Sequence, residues 1–292
     1  MILLIGAGGY IGRAFEWELK RRELTFRTVK RSEVDFGCSQ SAKAYLSEIK
    51  PAFVINAAGY TGKPNVDACE TNRADTLLGN VVLPLNIGRA CESLAIPWGN
   101  VATGCIYDGS SPTPDGFTEE DEPNFCFRSE PCSFYSGSKA LAEESLACFS
   151  QLYQWRLRIP FDHLDSSRNY LSKLLRYAKL YDAENSISHR GDFVKACLDS
   201  WEQRIPFGIY NLTNPGFVST RSVVERIKSI LTPDREFEYW EDDSSFYREA
   251  AITPRSNCRL SFSKAAAAGL QMRPVEEAVD EALRCWVWES KA

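Results

Sequence analysis

Short apolar runs alternate with longer segments of helical period through the first half of the chain. Met1–Ile5, Thr25–Val29, Phe53–Asn56 and Trp98–Val101 predict strands, and Ile11–Arg21, Ala44–Ile49 and Ala74–Leu94 predict helices. Strands separated by helices imply a parallel sheet covered on both faces, and right-handed crossovers make that sheet doubly wound. The segment Tyr107–Cys132 is rich in Pro, Gly, Ser and acidic residues and has no period, so it reads as a long loop leading into a helix over Phe134–Phe149. After the apolar segment Trp155–Ile159 the alternation weakens. Shorter elements around Tyr170–Tyr177, Phe193–Trp201, Gly208–Leu212, Ser219–Leu231 and Pro274–Trp288 predict a smaller lobe. The expected architecture is thus α/β, a doubly wound parallel sheet over residues 1–160 and a smaller C-terminal lobe over 161–292, some of whose segments have room to return to the sheet.

Composition narrows the function classes. The chain has 292 residues, 44% hydrophobic and 25% charged, enough to bury a sizeable core. A net charge of -5 provides no general basic field, so neither nucleic acid nor an anionic membrane surface is an expected partner. The opening apolar run Ile2–Ile5 is too short to span a bilayer and stops at glycine, from which a cytoplasmic location is expected. Ten cysteines without a C-x-x-C spacing, and only His163 and His189 beside them, give little support for a metal site or a disulfide framework. Either histidine is expected at the surface. The same shortage disfavours a Ser-His-Asp hydrolase.

Directly after the first strand stands Gly6-Ala7-Gly8-Gly9-Tyr10-Ile11-Gly12. Between a strand and an amphipathic helix, glycines at 6, 9 and 12 let the backbone turn tightly, let a pyrophosphate approach the helix N-terminus, and let helix and sheet pack closely. The end of the second strand reads Val29-Lys30-Arg31-Ser32. Two cations there, in place of an acid, suit a 2'-phosphate, hence NADPH over the alternative NADH. Asp35 and Phe36 are candidates for contact with the adenine, and Ala57-Ala58-Gly59 is small enough to let the cofactor pass.

Tyr135 and Lys139 form a Tyr-x-x-x-Lys pair on one face of the helix expected at 134–149. A tyrosine can give a proton to a ketone oxygen as hydride arrives, and an ammonium nearby lowers its pKa toward working pH. Thr103, at the end of its strand, can add a hydrogen bond to the same oxygen. A glycine motif, then a strand-terminal Thr, then Tyr/Lys is an order that resembles the extended short-chain dehydrogenase/reductases, which implies a Rossmann-type dinucleotide-binding domain.

Other stretches resemble, more narrowly, the nucleotide-rhamnose synthases (bifunctional 3,5-epimerase/4-reductases) and, more distantly, dTDP-4-dehydrorhamnose reductase. They are Gly62-Lys63-Pro64-Asn65-Val66-Asp67 with Cys69-Glu70, Ala102-Thr103-Gly104-Cys105-Ile106, Pro123-Asn124-Phe125, Arg168-Asn169-Tyr170 with Lys173, Asn185-Ser186, Gly208-Ile209-Tyr210-Asn211, Thr213-Asn214-Pro215-Gly216 and Pro254-Arg255-Ser256-Asn257. The resemblance implies a UDP- or dTDP-4-keto-6-deoxyglucose substrate and an NDP-L-rhamnose product. It assigns epimerisation to Cys105 and Lys173, and reduction to Thr103, Tyr135 and Lys139. It also makes Arg255 a diphosphate ligand, with an ordinary ion pair as the competing reading, and Asn169 and Asn185 contacts to sugar or pyrophosphate, with turn formation as theirs. Lys63 and Asn65 would lie where nicotinamide and substrate meet. A separate 4,6-dehydratase is the expected upstream partner, and a homodimer is compatible with the sequence. A 4-ketoreductase lacking epimerase activity and a non-catalytic cofactor-binding subunit are the two competing functions.

Overall fold

A computed structural model describes residues 1–289. Its centre is a six-stranded sheet built from β1 (Ile2–Ile5), β2 (Phe26–Val29), β3 (Phe53–Asn56), β4 (Trp98–Thr103), β5 (Leu152–Leu157) and β6 (Gly208–Asn211). The spatial order is β6-β5-β4-β3-β1-β2, and every pairing is parallel. The principal helices are α1 (Tyr10–Arg21), α2 (Ser39–Ile49), α3 (Leu83–Ser93), α4 (Phe134–Leu146), α5 (Tyr170–Arg176), α6 (Arg190–Glu202), α7 (Thr220–Ile230) and α8 (Val275–Arg284).

The apolar run of β1 has no polar alternation because both faces of the strand are covered. Ile2 and Leu4 join one core with Phe53 and Ile55 of β3, Phe15 and Leu19 of α1, and Phe193 and Cys197 of α6. Leu3 and Ile5 point the other way and join Val54, Leu46 of α2 and Ile87 and Cys91 of α3. Side chains two apart on a strand share a face, so one four-residue run serves two layers. A third core, around Phe161, Leu171, Val223, Ile227 and Val279, belongs to the smaller lobe.

Residues 190–211 lie beyond the sequence position at which the lobe was expected to begin, yet they supply helix α6 and edge strand β6 to the sheet layer. The helix expected over Ala74–Leu94 is also modified. It is helical from Arg73 to Ser93, but Leu78–Val82 form a π-helical turn ahead of Pro84. Proline lacks the N–H that an α-helix needs at that point, and a wider turn accommodates the missing bond. Among the described residues no helix is long and apolar enough to cross a membrane.

Candidate active site

The strand order reverses between β1 and β3, and the crevice at such a point is where doubly wound sheets bind ligands. Gly6 leaves β1 at φ +83°, and a Cβ there would lie 2.5 Å from the backbone N of Ala58. A Cβ on Gly12 would lie 2.0 Å from the carbonyl oxygen of Gly6. Only glycine permits this crossing of loop, helix and strand end. Gly9 is the N-cap of α1 and offers no side chain to the first turn, so the N–H groups there are left for an anion. We expect Gly12→Ala to weaken dinucleotide binding at least tenfold and to cost about 1–3 kcal/mol of stability, because the obstruction is backbone; fluorescence titration and urea unfolding measure the two effects.

Lys30 and Arg31 are exposed at the end of β2, and neither is ion-paired among the described residues, as a 2'-phosphate site requires. Ala57 and Ala58 form the wall opposite the glycine loop; the Asn56 side chain, which accepts from the Ala58 N–H at 3.1 Å and donates to Asn100 Oδ1 at 2.8 Å, fixes their turn. Gly59 is exposed beside them. Ile11 packs into the core behind the loop.

Two of the expected cofactor contacts, Phe36 and Tyr10, are placed differently. The Phe36 ring is buried in the sheet core, edge-on to Tyr45 at 6.2 Å, and cannot reach an adenine. Asp35 stays exposed, with Oδ1 accepting from the Gly37 N–H at 2.8 Å to close a turn. Tyr10 turns its hydroxyl away from the glycine loop to donate to Asp162 Oδ1 at 3.0 Å, with the Arg190 guanidinium over its ring at 4.4 Å; burial pushes its pKa up.

The carboxyl end of β4 carries Thr103 and, two residues on, Cys105, whose backbone N–H donates to Thr103 Oγ1 at 3.2 Å. Helix α4 starts at an N-cap, Ser133, that accepts from the Ser136 N–H at 3.0 Å, and the Phe134 N–H is held by Glu70 at 2.7 Å. These bonds set the rotation of the helix and so aim Tyr135 and Lys139 at the end of β4. Lys139 Nζ donates to the Val101 carbonyl at 3.2 Å. Burial lowers its pKa from 10.5 to about 8. Tyr135 moves opposite to expectation. Burial, and then the proximity of Cys105, push it above its ordinary value, against a hydroxyl interaction with Thr103. In the protein alone, desolvation outweighs any help from the lysine.

Lys173, on α5, comes to the same place from the smaller lobe. Burial lowers its pKa, helped by the charges of Arg168 and Arg255 and opposed by Cys105. Cys105 is thus an electrostatic neighbour of Tyr135, Lys139 and Lys173 together.

The polar residues assigned to substrate divide. Asn169 is fully buried: its side chain caps α5 by accepting from the Leu171 N–H and donates to Asp162, so it positions the helix of Lys173 and does not face a sugar. Asn185 is also buried, accepting from the Cys258 N–H at 3.1 Å and from Arg158. Arg255 is held by Asp67 through two bonds of 2.6 and 2.8 Å, the ion-pair alternative. Asn65 accepts from the Asp67 N–H at 2.8 Å and closes a turn, whereas Lys63 is exposed. His189, expected at the surface, is largely buried and caps α6 beside Asp192.

Sequence reasoning missed three residues that build the site. Asn80, in the π-helical turn, accepts from the Tyr60 N–H and donates to the Tyr60 carbonyl and Ser138 Oγ, joining the turn after β3 to α4. Arg168 donates to Thr61 Oγ1 at 3.1 Å and to the Gly62 carbonyl at 2.8 Å, spanning from the lobe to the loop after β3. Arg158, just past β5, is fully buried beside Cys105. Its one sequence signal is an odd one: two arginines inside the apolar run Trp155–Ile159.

Known proteins share both sequence and fold. A family model described as the RmlD substrate binding domain matches residues 1–286. A bifunctional dTDP-4-dehydrorhamnose 3,5-epimerase/dTDP-4-dehydrorhamnose reductase of Arabidopsis thaliana is 34% identical over 230 residues, 77% of this chain and 74% of that one. A trifunctional UDP-glucose 4,6-dehydratase/UDP-4-keto-6-deoxy-D-glucose 3,5-epimerase/UDP-4-keto-L-rhamnose-reductase of the same plant is 31% identical over 282 residues, 95% of this chain. The chain spans 41% of that relative's length and about a third of another trifunctional relative's, 33%. The crystal structure of the L780 UDP-rhamnose synthase from Acanthamoeba polyphaga mimivirus superposes with a TM-score of 0.88 at 25% identity, covering 98% of this chain and 99% of that one. A glycine crevice, a Thr-Tyr-Lys group at the end of β4 and a family match over nearly the whole length agree, and the chain belongs to the RmlD substrate-binding family.

Proposed function

We propose that the chain converts a UDP- or dTDP-linked 4-keto-6-deoxyglucose to the corresponding NDP-L-rhamnose, by epimerisation at C3 and C5 and reduction at C4, with NADPH as cofactor. What supports this reading is that residues suited to two chemistries neighbour one another: Thr103, Tyr135 and Lys139, which suit reduction, and Cys105 with Lys173, which suit proton exchange. The relatives named for both activities support it. Arg168 and Lys173 add positive charge where a diphosphate-linked sugar would enter. The 4,6-dehydration that makes the ketone is assigned to another active site.

The glycine loop and the N-terminus of α1 would hold the cofactor pyrophosphate, and Lys30 and Arg31 its 2'-phosphate. When bound, NADPH supplies the hydride for C4. Tyr135 gives its proton to the C4 oxygen while Thr103 donates a hydrogen bond to the same atom. Lys139 supplies positive charge behind Tyr135 as the phenolate forms. That charge is lost as pH rises through about 8. Its protonated form is the competent one, so kcat/KM for reduction is expected to fall above pH about 8 in a steady-state pH profile; a profile flat through that region would remove Lys139 from this role.

The test is incubation with NADPH and either ketosugar in deuterated water, with deuterium located in the product by NMR. Label at C3 and C5 with NADPH consumed supports both activities. Reduction without label leaves a 4-ketoreductase alone, and no reaction with either nucleotide overturns the proposal.

A further inference from the structure

Arg158 is fully buried, yet among the described residues it faces no carboxylate. Arg156, two positions earlier and equally buried, is matched by Glu143. Arg158 instead donates to Ser256 Oγ at 2.8 Å, to the Ser256 carbonyl at 2.6 Å, to Asn185 Oδ1, and to Cys105 Sγ at 3.4 Å, and its Nε has no partner. Burying an uncompensated cation is expensive, so a partner able to take negative charge is favoured strongly. Of these four acceptors, only the Cys105 sulfur can ionise.

We infer that Arg158 is a positioning residue that stabilises the thiolate of Cys105 and so prepares it to act as the base in epimerisation. The inference rests on the proposed role of Cys105. In the step, a C–H bond beside the C4 ketone breaks, the proton goes to sulfur, and the electron pair becomes an enolate whose oxygen lies at Thr103 and Tyr135. The Lys173 ammonium then gives a proton to the opposite face of that carbon, and proton transfer from the Cys105 thiol to the Lys173 amine restores both groups. Arg158 holds the charge on sulfur before the first transfer and after the last.

The ionisable groups facing Cys105 come from several elements: Tyr135 and Lys139 from α4, Lys173 from α5, Arg158 from the end of β5, and Cys258 from the segment after Ser256. None is a carboxylate. Burial pushes Cys258 up to about 11, so this second sulfur near Arg158 stays a thiol at neutral pH and does not compete for the charge.

The experiment is alkylation by iodoacetamide across a pH series, read on the Cys105 peptide by mass spectrometry. Arg158→Met is expected to move the midpoint of reactivity up by about one pH unit, and Arg158→Lys, which keeps the cation, to move it less. Equal midpoints in the parent and a folded Arg158→Met variant overturn the inference. Should that variant not fold, the parent is compared with itself in urea, where a native midpoint no lower than the unfolded one overturns it equally. Alkylation needs no sugar, so an Arg158-dependent midpoint in a chain that exchanges no deuterium would reject the substrate reading and keep only the pairing of Arg158 with the Cys105 sulfur.

Discussion

Tyr135→Phe is expected to slow reduction of the C4 ketone by about 10²–10⁴-fold, the usual span for removing a positioned proton donor, while dinucleotide binding stays close to that of the parent. Both halves follow from the geometry. The hydroxyl belongs to the reacting end of α4, whereas the ring and the caps at Ser133 and Glu70 that orient the helix are untouched. Because burial holds the Tyr135 proton tightly in the protein alone, the proposed acid would stay loaded at rest, and the negative charge forming on the ketone oxygen would draw the proton away. Steady-state NADPH consumption and a fluorescence titration measure the two halves. A variant that reduces ketosugar as fast as the parent would remove Tyr135 from the mechanism.

Cys105→Ala is expected to have the opposite selectivity. Deuterium incorporation at C3 or C5 is expected to fall by at least about 100-fold, within the span of a lost acid or base, with reduction of an already epimerised ketone largely retained. The backbone N–H of residue 105 still reaches Thr103, and Arg158 keeps Ser256 and Asn185, so the β4 end should hold its shape. NMR of the product from each starting ketone separates the two activities. Equal loss of both would mean that Cys105 supports the fold of the site and not a distinct chemistry.

The legible parts of this protein are those governed by local rules. The strands β1, β3 and β4 were visible as short apolar runs because both faces of the sheet are buried there, and the glycine loop was visible because its crossing tolerates no Cβ. The paired strands Pro160–Phe161 and Ser188–His189 were not, since two residues carry no period and the pairing is imposed from across the molecule. Asn169 and Asn185 show a similar limit. An Asn in a turn announces hydrogen bonding, but whether its amide points into a pocket or back into the protein depends on neighbours distant in sequence. Arg158 was hidden for the reverse reason: an apolar run conceals a charged member until its partners are known.

The position of β6 bears on how the chain is made. β5, all six of its residues buried, lies between β4 and β6, and β6 is encoded some fifty residues later. Its last residue, Asn211, also closes the long loop, its side chain donating to the carbonyls of Phe117 and Ser261 and its backbone N–H donating to the Glu119 carboxylate. A nascent chain that has emerged only as far as β5 therefore exposes an open strand edge and the faces of Tyr153 and Trp155, a surface suited to pairing with a neighbouring chain. The half that would hold the cofactor completes its sheet only after much of the other half has been synthesised, so the two mature as one unit and a truncation between them would leave an adhesive fragment in place of a small working domain.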